Sequence, residues 1–162
     1  MNKRTALINK IAKQAIAADY QLATAESCTG GGVAKALTEI AGSSAWFTCG
    51  LITYPNTAKQ NLLGVTKTTL ENHGAVSEAV VKAMVKGACL KGNANLAVAI
   101  SGVAGPAGGS PEKPVGTVWL AWGTSENQRA QVFNFSGDRR QVREASIDKA
   151  LEGLLDWLEE GV

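Results

Sequence analysis

Histidine is almost absent from this sequence, and cysteine, proline and aromatic residues are scarce. The 162 residues include one histidine, three cysteines and four prolines, and 6% of them are aromatic. An odd number of cysteines at unrelated spacings suits neither a disulfide framework nor a zinc site. The sequence therefore predicts a cytoplasmic protein of a reducing compartment that uses no metal ion and no cofactor.

Long apolar runs and an excess of one charge are also missing. No window approaches the roughly 18 uninterrupted apolar residues of a membrane span, and the first residues lack the pattern of a secretory signal. The 16 basic residues nearly balance the 14 acidic ones, and the formal charge of +2 is spread along the chain. We therefore expect neither a membrane nor a nucleic-acid partner.

What the chain does have is enough apolar residues for one core. A hydrophobic content of 45% over 162 residues favours a single domain, residues 1–162. Helical spacing of apolar residues predicts helices at 2–18, 33–37, 56–63, 78–85 and 139–159, the fourth with Ser77 as its cap. Strands are predicted at 20–25, 46–54, 96–100, 115–122 and 130–135, the last two as a hairpin. This alternation predicts an α/β fold, a three-layer α/β/α sandwich with a mixed, mostly parallel sheet.

Polar, glycine-rich segments flank three of the predicted strands. The first, Thr24–Gly32, places hydroxyls and one carboxylate before a helix, whose free amides can bind an anion; a plain helix cap is the alternative. The second comprises Gly42–Phe47 before a strand and Tyr54–Lys59 after it. If Pro55 begins a helix, Lys59 lies one turn in and can point back toward the strand's end. The third, Ser101–Gly109, matches neither the P-loop nor the dinucleotide fingerprint.

Taken together, these segments resemble one protein family. The matching motifs are Ala25–Gly31, Gly42–Phe47, Thr53–Tyr54 with Asn56 and Lys59, Gly74–Ser77, Ile100–Pro106 and Lys113–Val118. In this order they are similar to the C-terminal domain of the competence/damage-inducible protein CinA, over nearly the whole chain. Stand-alone members of that family are nicotinamide-nucleotide amidases. The resemblance thus implies hydrolysis of the carboxamide of nicotinamide mononucleotide, a small-molecule substrate, in pyridine nucleotide salvage; it leaves a homo-oligomer open.

Amide hydrolysis needs a nucleophile, a base, oxyanion donors and an acid for the departing ammonia. The single histidine, His73, precedes Gly74 where a helix is predicted to end, so a Ser-His-Asp triad is not expected. A lysine of lowered pKa can serve instead, and Lys59 is the candidate. The resemblance implies that Ser27, Tyr54 and Lys59 are the catalytic residues, and Ser27 is the candidate nucleophile among the hydroxyls, a choice that the resemblance alone does not settle. Rival nucleophiles remain at Ser43, Ser44, Ser101 and Cys28.

The substrate also has a ribose and a phosphate to be held. We expect the 102–109 loop to bind the phosphate with Arg139 or Arg140, and the amides of residues 29–31 to hold the oxyanion. The expected substrate-binding residues are Glu26, Thr29, Gly30, Gly31, Ser43, Ser44, Ser101, Gly102, Ala104, Gly105 and Arg139. Two other functions stay open: a catalytically silent nucleotide-binding domain, and an interaction domain associated with competence or DNA damage.

Overall fold

Helices cover both faces of one five-stranded sheet in the computed structural model, which describes residues 1–160. The helices are α1 (Lys3–Ala17), α2 (Gly32–Leu37), α3 (Asn56–Leu63), α4 (Lys67–His73), α5 (Glu78–Gly92) and α6 (Arg139–Glu160). The strands are β1 (Leu22–Glu26), β2 (Phe47–Ile52), β3 (Leu96–Gly102), β4 (Thr117–Gly123) and β5 (Gln128–Asn134). The last two residues of the predicted domain lie outside the described residues.

The sheet is mixed, with strand order β2-β1-β3-β4-β5. β1 pairs in parallel with β2 and β3, whereas β4 is antiparallel to both β3 and β5. Four of the five strands therefore point the same way, and β4 and β5 form the predicted hairpin. The predicted α/β class with a mostly parallel sheet is confirmed.

Side-chain alternation along the strands builds two apolar cores, one on each face of the sheet. On β3, Leu96, Val98 and Ile100 face the core shared with α1, α2 and α6. The alternate residues, Ala97 and Ala99, face the core that contains the buried side of α5. β3 is buried on both faces because successive side chains of a strand point to opposite sides. The three predicted layers follow from this arrangement.

The helix ends follow the capping signals in the sequence, with two differences. Ser77 accepts a hydrogen bond from the Val80 amide and caps α5, as predicted. Pro55, however, is the cap of α3 and not its first helical residue. The helix expected to end before Gly74 is α4, a short polar helix capped by Thr66, and its start at Lys67 had not been located from the sequence. Within residues 1–160, no helix combines the length and apolar character that crossing a membrane requires.

Candidate active site

Three parallel strands end side by side, and the residues that follow them meet at the carboxyl edge of the sheet. The Ser27 amide, just after β1, donates to the Ile100 carbonyl oxygen of β3 over 3.0 Å. The Thr53 amide, just after β2, donates to the Glu26 carbonyl oxygen of β1 over 2.9 Å. Ser101, near the end of β3, is buried at the same edge. Such edges are where open α/β sheets bind ligands.

Lys59 reaches this edge from α3 and is almost fully buried, with 1% of its surface exposed. Its Nζ lies 3.1 Å from Ser27 Oγ. It also donates to two backbone carbonyl oxygens, those of Thr53 at 2.8 Å and Tyr54 at 3.0 Å. No carboxylate pairs with Lys59 among residues 1–160. A buried amine is thus placed against a serine hydroxyl with no acidic partner.

The electrostatics of this pair favour a neutral amine. Burial lowers the pKa of Lys59 below its ordinary value, because a desolvated ammonium is costly. As a neutral amine, Lys59 has two N–H bonds for the two carbonyl oxygens and one lone pair left over. That lone pair can accept the proton of Ser27 Oγ. The arrangement therefore suits a serine nucleophile with a lysine base.

Cys28, the neighbouring rival nucleophile, lies in a different environment. Its side chain is buried in the apolar core, and burial raises the pKa of its thiol to about 11. Because the thiolate is the reactive form, this thiol is a poor nucleophile at neutral pH. The geometry favours Ser27 over Cys28.

The carboxylate of Glu26 binds the first amides of α2 instead of facing the edge. One oxygen accepts from Thr29 Oγ1 at 2.6 Å and from the Val33 amide at 2.9 Å. The other accepts from the Ala34 amide at 3.0 Å. The side chains of Glu26 and Thr29 bind each other, and Glu26 also binds α2, so they shape the turn after Ser27; direct contact of these two side chains with the substrate is not supported.

Two glycines let that turn form. Gly30 and Gly31 have φ values of +59° and +97°, which favour glycine. A Cβ on Gly31 would also lie 2.9 Å from the Ile52 side chain. The Gly30 amide donates to the Ser27 carbonyl oxygen, whereas the N–H groups of Thr29 and Gly31 find no acceptor within residues 1–160. These two unpartnered N–H groups are the candidate oxyanion donors of the turn.

Arg139, at the start of α6, connects the glycine-rich loop to the end of β2. It donates to the Gly105 carbonyl oxygen at 2.8 Å and to the Tyr54 hydroxyl at 2.7 Å. The Tyr54 phenol thus binds Arg139, and it is the backbone carbonyl of Tyr54 that contacts Lys59. The loop after Gly102, including the buried Ala104, therefore lies close to the Ser27 edge.

Ser43 and Ser44 are not brought to this site. They lie in a short 3-10 turn (Ser43–Ala45) that precedes β2, whereas Ser27 follows β1. Because β1 and β2 are parallel, these two serines stand at the opposite edge of the sheet, about 17 Å of strand away. Within this chain they are neither rival nucleophiles nor ligands of a substrate at Ser27.

The single histidine has no hydrogen bond to Ser27 or Lys59 among residues 1–160. His73 is exposed at the end of α4, as the sequence predicted, and its carbonyl oxygen accepts from Lys113 at 3.0 Å. The contacts of Ser27 Oγ, which are the Lys59 amine and the Tyr54 carbonyl oxygen, therefore give no support to a triad built on His73. Within residues 1–160, no group of three or more histidine, cysteine or acidic side chains is arranged to bind a metal ion.

One residue near the turn escaped the sequence analysis. Arg143 of α6 donates through Nε to the Cys28 carbonyl oxygen at 3.0 Å. Its Nη2 lies 3.4 Å from the Thr29 carbonyl oxygen. The four-residue spacing between Arg139 and Arg143 could have indicated it, because residues four apart share a helix face and Arg139 is already an expected site residue.

Known proteins match this chain in sequence over most of its length. Residues 4–158 match the profile of the CinA C-terminal domain. The chain belongs to that family. Its sequence is 50% identical to a nicotinamide-nucleotide amidohydrolase PncC from Pseudomonas putida, over 96% of this chain and 97% of that protein. It is 55% identical to the Escherichia coli K12 protein of the same name, over 81% of this chain and 80% of that protein.

Solved structures of CinA superfamily proteins share the fold. One from Klebsiella pneumoniae superposes with a TM-score of 0.93 at 39% identity, covering 98% of this chain and 99% of that one. A competence/damage-inducible protein from Agrobacterium tumefaciens also gives 0.93, at 42% identity, covering 98% and 97% of the two chains. The resemblance inferred from the motifs is confirmed.

Proposed function

We propose that this protein hydrolyses the carboxamide of nicotinamide mononucleotide to nicotinate mononucleotide and ammonia. The names of two relatives, at 50% and 55% identity, supply the substrate and the reaction. The observation that carries the chemistry is the buried Lys59 amine, 3.1 Å from Ser27 Oγ and without an acidic partner. The proposal uses only groups of the chain itself.

In the first half-reaction, Ser27 Oγ attacks the amide carbon while Lys59 takes the hydroxyl proton. The carbonyl oxygen becomes an oxyanion, which the free N–H groups of Thr29 and Gly31 stabilise. As the C–N bond breaks, the Lys59 ammonium returns the proton to the departing nitrogen. Ammonia leaves, and the nicotinoyl group stays on Ser27 as an ester.

In the second half-reaction, water replaces ammonia. Lys59, neutral again, takes a proton from the attacking water, and the oxyanion forms at the same amides. Collapse breaks the ester bond, and the Lys59 ammonium gives its proton to Ser27 Oγ. Nicotinate mononucleotide is released with the enzyme in its starting form.

Binding of the phosphate is assigned to the 102–109 loop together with Arg139. The guanidinium already spans Gly105 and Tyr54, and arginine forks match phosphate oxygens. Ser101, which is buried at the end of β3 and directly precedes this loop, is the proposed contact for the middle of the substrate. Arg139 would exchange one of its present protein contacts for the phosphate.

Ammonia release from pure protein and nicotinamide mononucleotide tests the proposal. We expect stoichiometric ammonia and nicotinate mononucleotide, undiminished by a strong chelator, and none from Ser27→Ala. Activity that a chelator removes and added zinc or magnesium restores would contradict the metal-free mechanism. Binding of the nucleotide without ammonia release would instead indicate the catalytically silent domain.

A further inference from the structure

The backbone of the turn after Ser27 is held from outside by an arginine of α6. Arg143 donates to the carbonyl oxygen of Cys28 at 3.0 Å and contacts that of Thr29 at 3.4 Å. Its guanidinium lies 3.1 Å from the position that a Cβ on Gly30 would occupy. The Nε and Nη2 atoms of one planar guanidinium thus bind two successive carbonyl oxygens of the turn.

These contacts determine which way one amide points. In a planar trans peptide, the C=O and the N–H on the same bond point in opposite directions. Because Arg143 binds the carbonyl oxygen of Cys28, the N–H of Thr29 points away from the guanidinium. That N–H has no acceptor within residues 1–160, whereas the next one, of Gly30, donates to Ser27.

A buried carboxylate restrains the same residue from the other side. Glu26 accepts the Thr29 hydroxyl at 2.6 Å and also binds the first amides of α2. With its side chain held by Glu26 and the carbonyls on either side held by Arg143, Thr29 has little freedom to rotate. A rotated Cys28–Thr29 peptide would present a carbonyl oxygen, which repels an oxyanion, where the N–H now lies.

We infer that Arg143 is a positioning residue that orients the Cys28–Thr29 peptide so that the Thr29 N–H meets the oxyanion. The inference rests on the proposed function, since it assigns a role within that reaction. The hydrogen bonds of Arg143 go to backbone carbonyl oxygens of the turn, and none joins it to Ser27 or Lys59 among residues 1–160. Its effect belongs to the transition state, because negative charge develops on the carbonyl oxygen there and is absent from the bound ground state.

Kinetics separate this role from substrate binding. Losing one oxyanion donor costs about 100- to 1,000-fold in kcat, so a misdirected one in Arg143→Met should cost roughly 10- to 100-fold, with KM nearly unchanged. Arg143→Lys, which keeps the charge but loses the fork, should retain intermediate activity. Arg129→Met, which removes an exposed guanidinium on β5, is the matched control and should match wild type.

Two kinetic results would overturn the inference. A raised KM with unchanged kcat would mean that Arg143 binds the phosphate. A pH–rate profile shifted to higher pH in Arg143→Met would mean that its charge acts on Lys59, whereas the orienting role leaves the midpoint in place. Thermal unfolding and circular dichroism confirm that each variant compared is folded.

A crystal structure of Arg143→Lys or Arg143→Met decides the geometry without any assay. We expect the Cys28–Thr29 peptide to be rotated or in two orientations, and an unchanged peptide in both variants would overturn the inference. This result is independent of the substrate. If wild type releases no ammonia, the proposed function fails while the crystal structures still decide what Arg143 does.

Discussion

The two ends of the parallel strands carry similar serine-containing motifs but very different surroundings. At the carboxyl edge, Ser27 lies against a buried, unpaired lysine and a turn with free amides. At the amino edge, Ser44 and its neighbours lie in an exposed turn before β2. A serine becomes a candidate nucleophile only where the fold places a desolvated base beside it. The reactivity of the side chain therefore depends on its surroundings.

The largest expected effect comes from breaking the carboxyl-edge pair. Ser27→Ala and Lys59→Met should each lower kcat by at least about a thousandfold, because either change removes the whole nucleophile unit. The double variant should cost little more than either single one, as is usual for residues that act together. Steady-state ammonia release measures all three. Survival of Ser27→Ala with loss of activity in Cys28→Ser would assign the nucleophile to Cys28.

The next effect concerns the phosphate. Nicotinamide riboside should have a kcat/KM at least about tenfold below that of the mononucleotide, since one charge-assisted bond contributes about 1.5–3 kcal/mol and about 1.4 kcal/mol is tenfold. Arg139→Met should bring the two substrates closer together. Equal specificity constants for the two substrates in wild type would contradict phosphate binding by the 102–109 loop. If Arg140→Met alone no longer distinguishes the riboside from the mononucleotide, Arg140 binds the phosphate instead of Arg139.

A smaller effect, on stability, follows from the buried amine. The lowered pKa of Lys59 means that the unfolded chain binds an extra proton between the folded and unfolded pKa values. Wild type should therefore gain stability relative to Lys59→Met as the pH rises toward 10. The opposing effect of the buried thiols Cys28 and Cys89, whose pKa values burial raises to about 11, is common to both chains. Thermal melts at several pH values measure the difference in Tm, which we expect to change by a few degrees. Lys10→Met, on the exposed side of α1, is the control. Parallel curves of Tm against pH for wild type and Lys59→Met would argue against a lowered pKa of Lys59.

The smallest effects are expected at the amino edge. Ser43→Ala and Ser44→Ala should leave kcat and KM within about twofold of wild type, in line with exposed substitutions away from any site. The same holds for His73→Ala at the end of α4. A large loss at Ser43 or Ser44 would show that the amino edge takes part in catalysis, which this chain's own geometry does not provide.

The placement of Ser27, Lys59 and Ser101 could be predicted from sequence because each is set by a local signal. Ser27 and Ser101 adjoin the ends of apolar strands, and Pro55 marks the start of the helix that carries Lys59. Parallel pairing of β1 with β2 is enough to separate Ser43 and Ser44 from Ser27, since residues before a parallel strand cannot share an edge with residues after its neighbour.

Other contacts had no local signal. Arg143 lies 115 residues from Cys28, and its bond to that carbonyl depends on how α6 packs on the sheet. Burial of Glu26 under α2 was equally hidden, because a capping carboxylate and a ligand-binding one look alike in sequence. Only tertiary packing tells the two apart.

The pH dependence of kcat/KM in wild type and Lys59→Met tests the central claim most directly. If the neutral Lys59 amine is the base, the wild-type rate rises with pH through a single ionisation, with a midpoint below the ordinary lysine value. The residual rate of Lys59→Met should then be flat over the same range. A variant that keeps the wild-type profile would contradict the account, because another group would have to be the base.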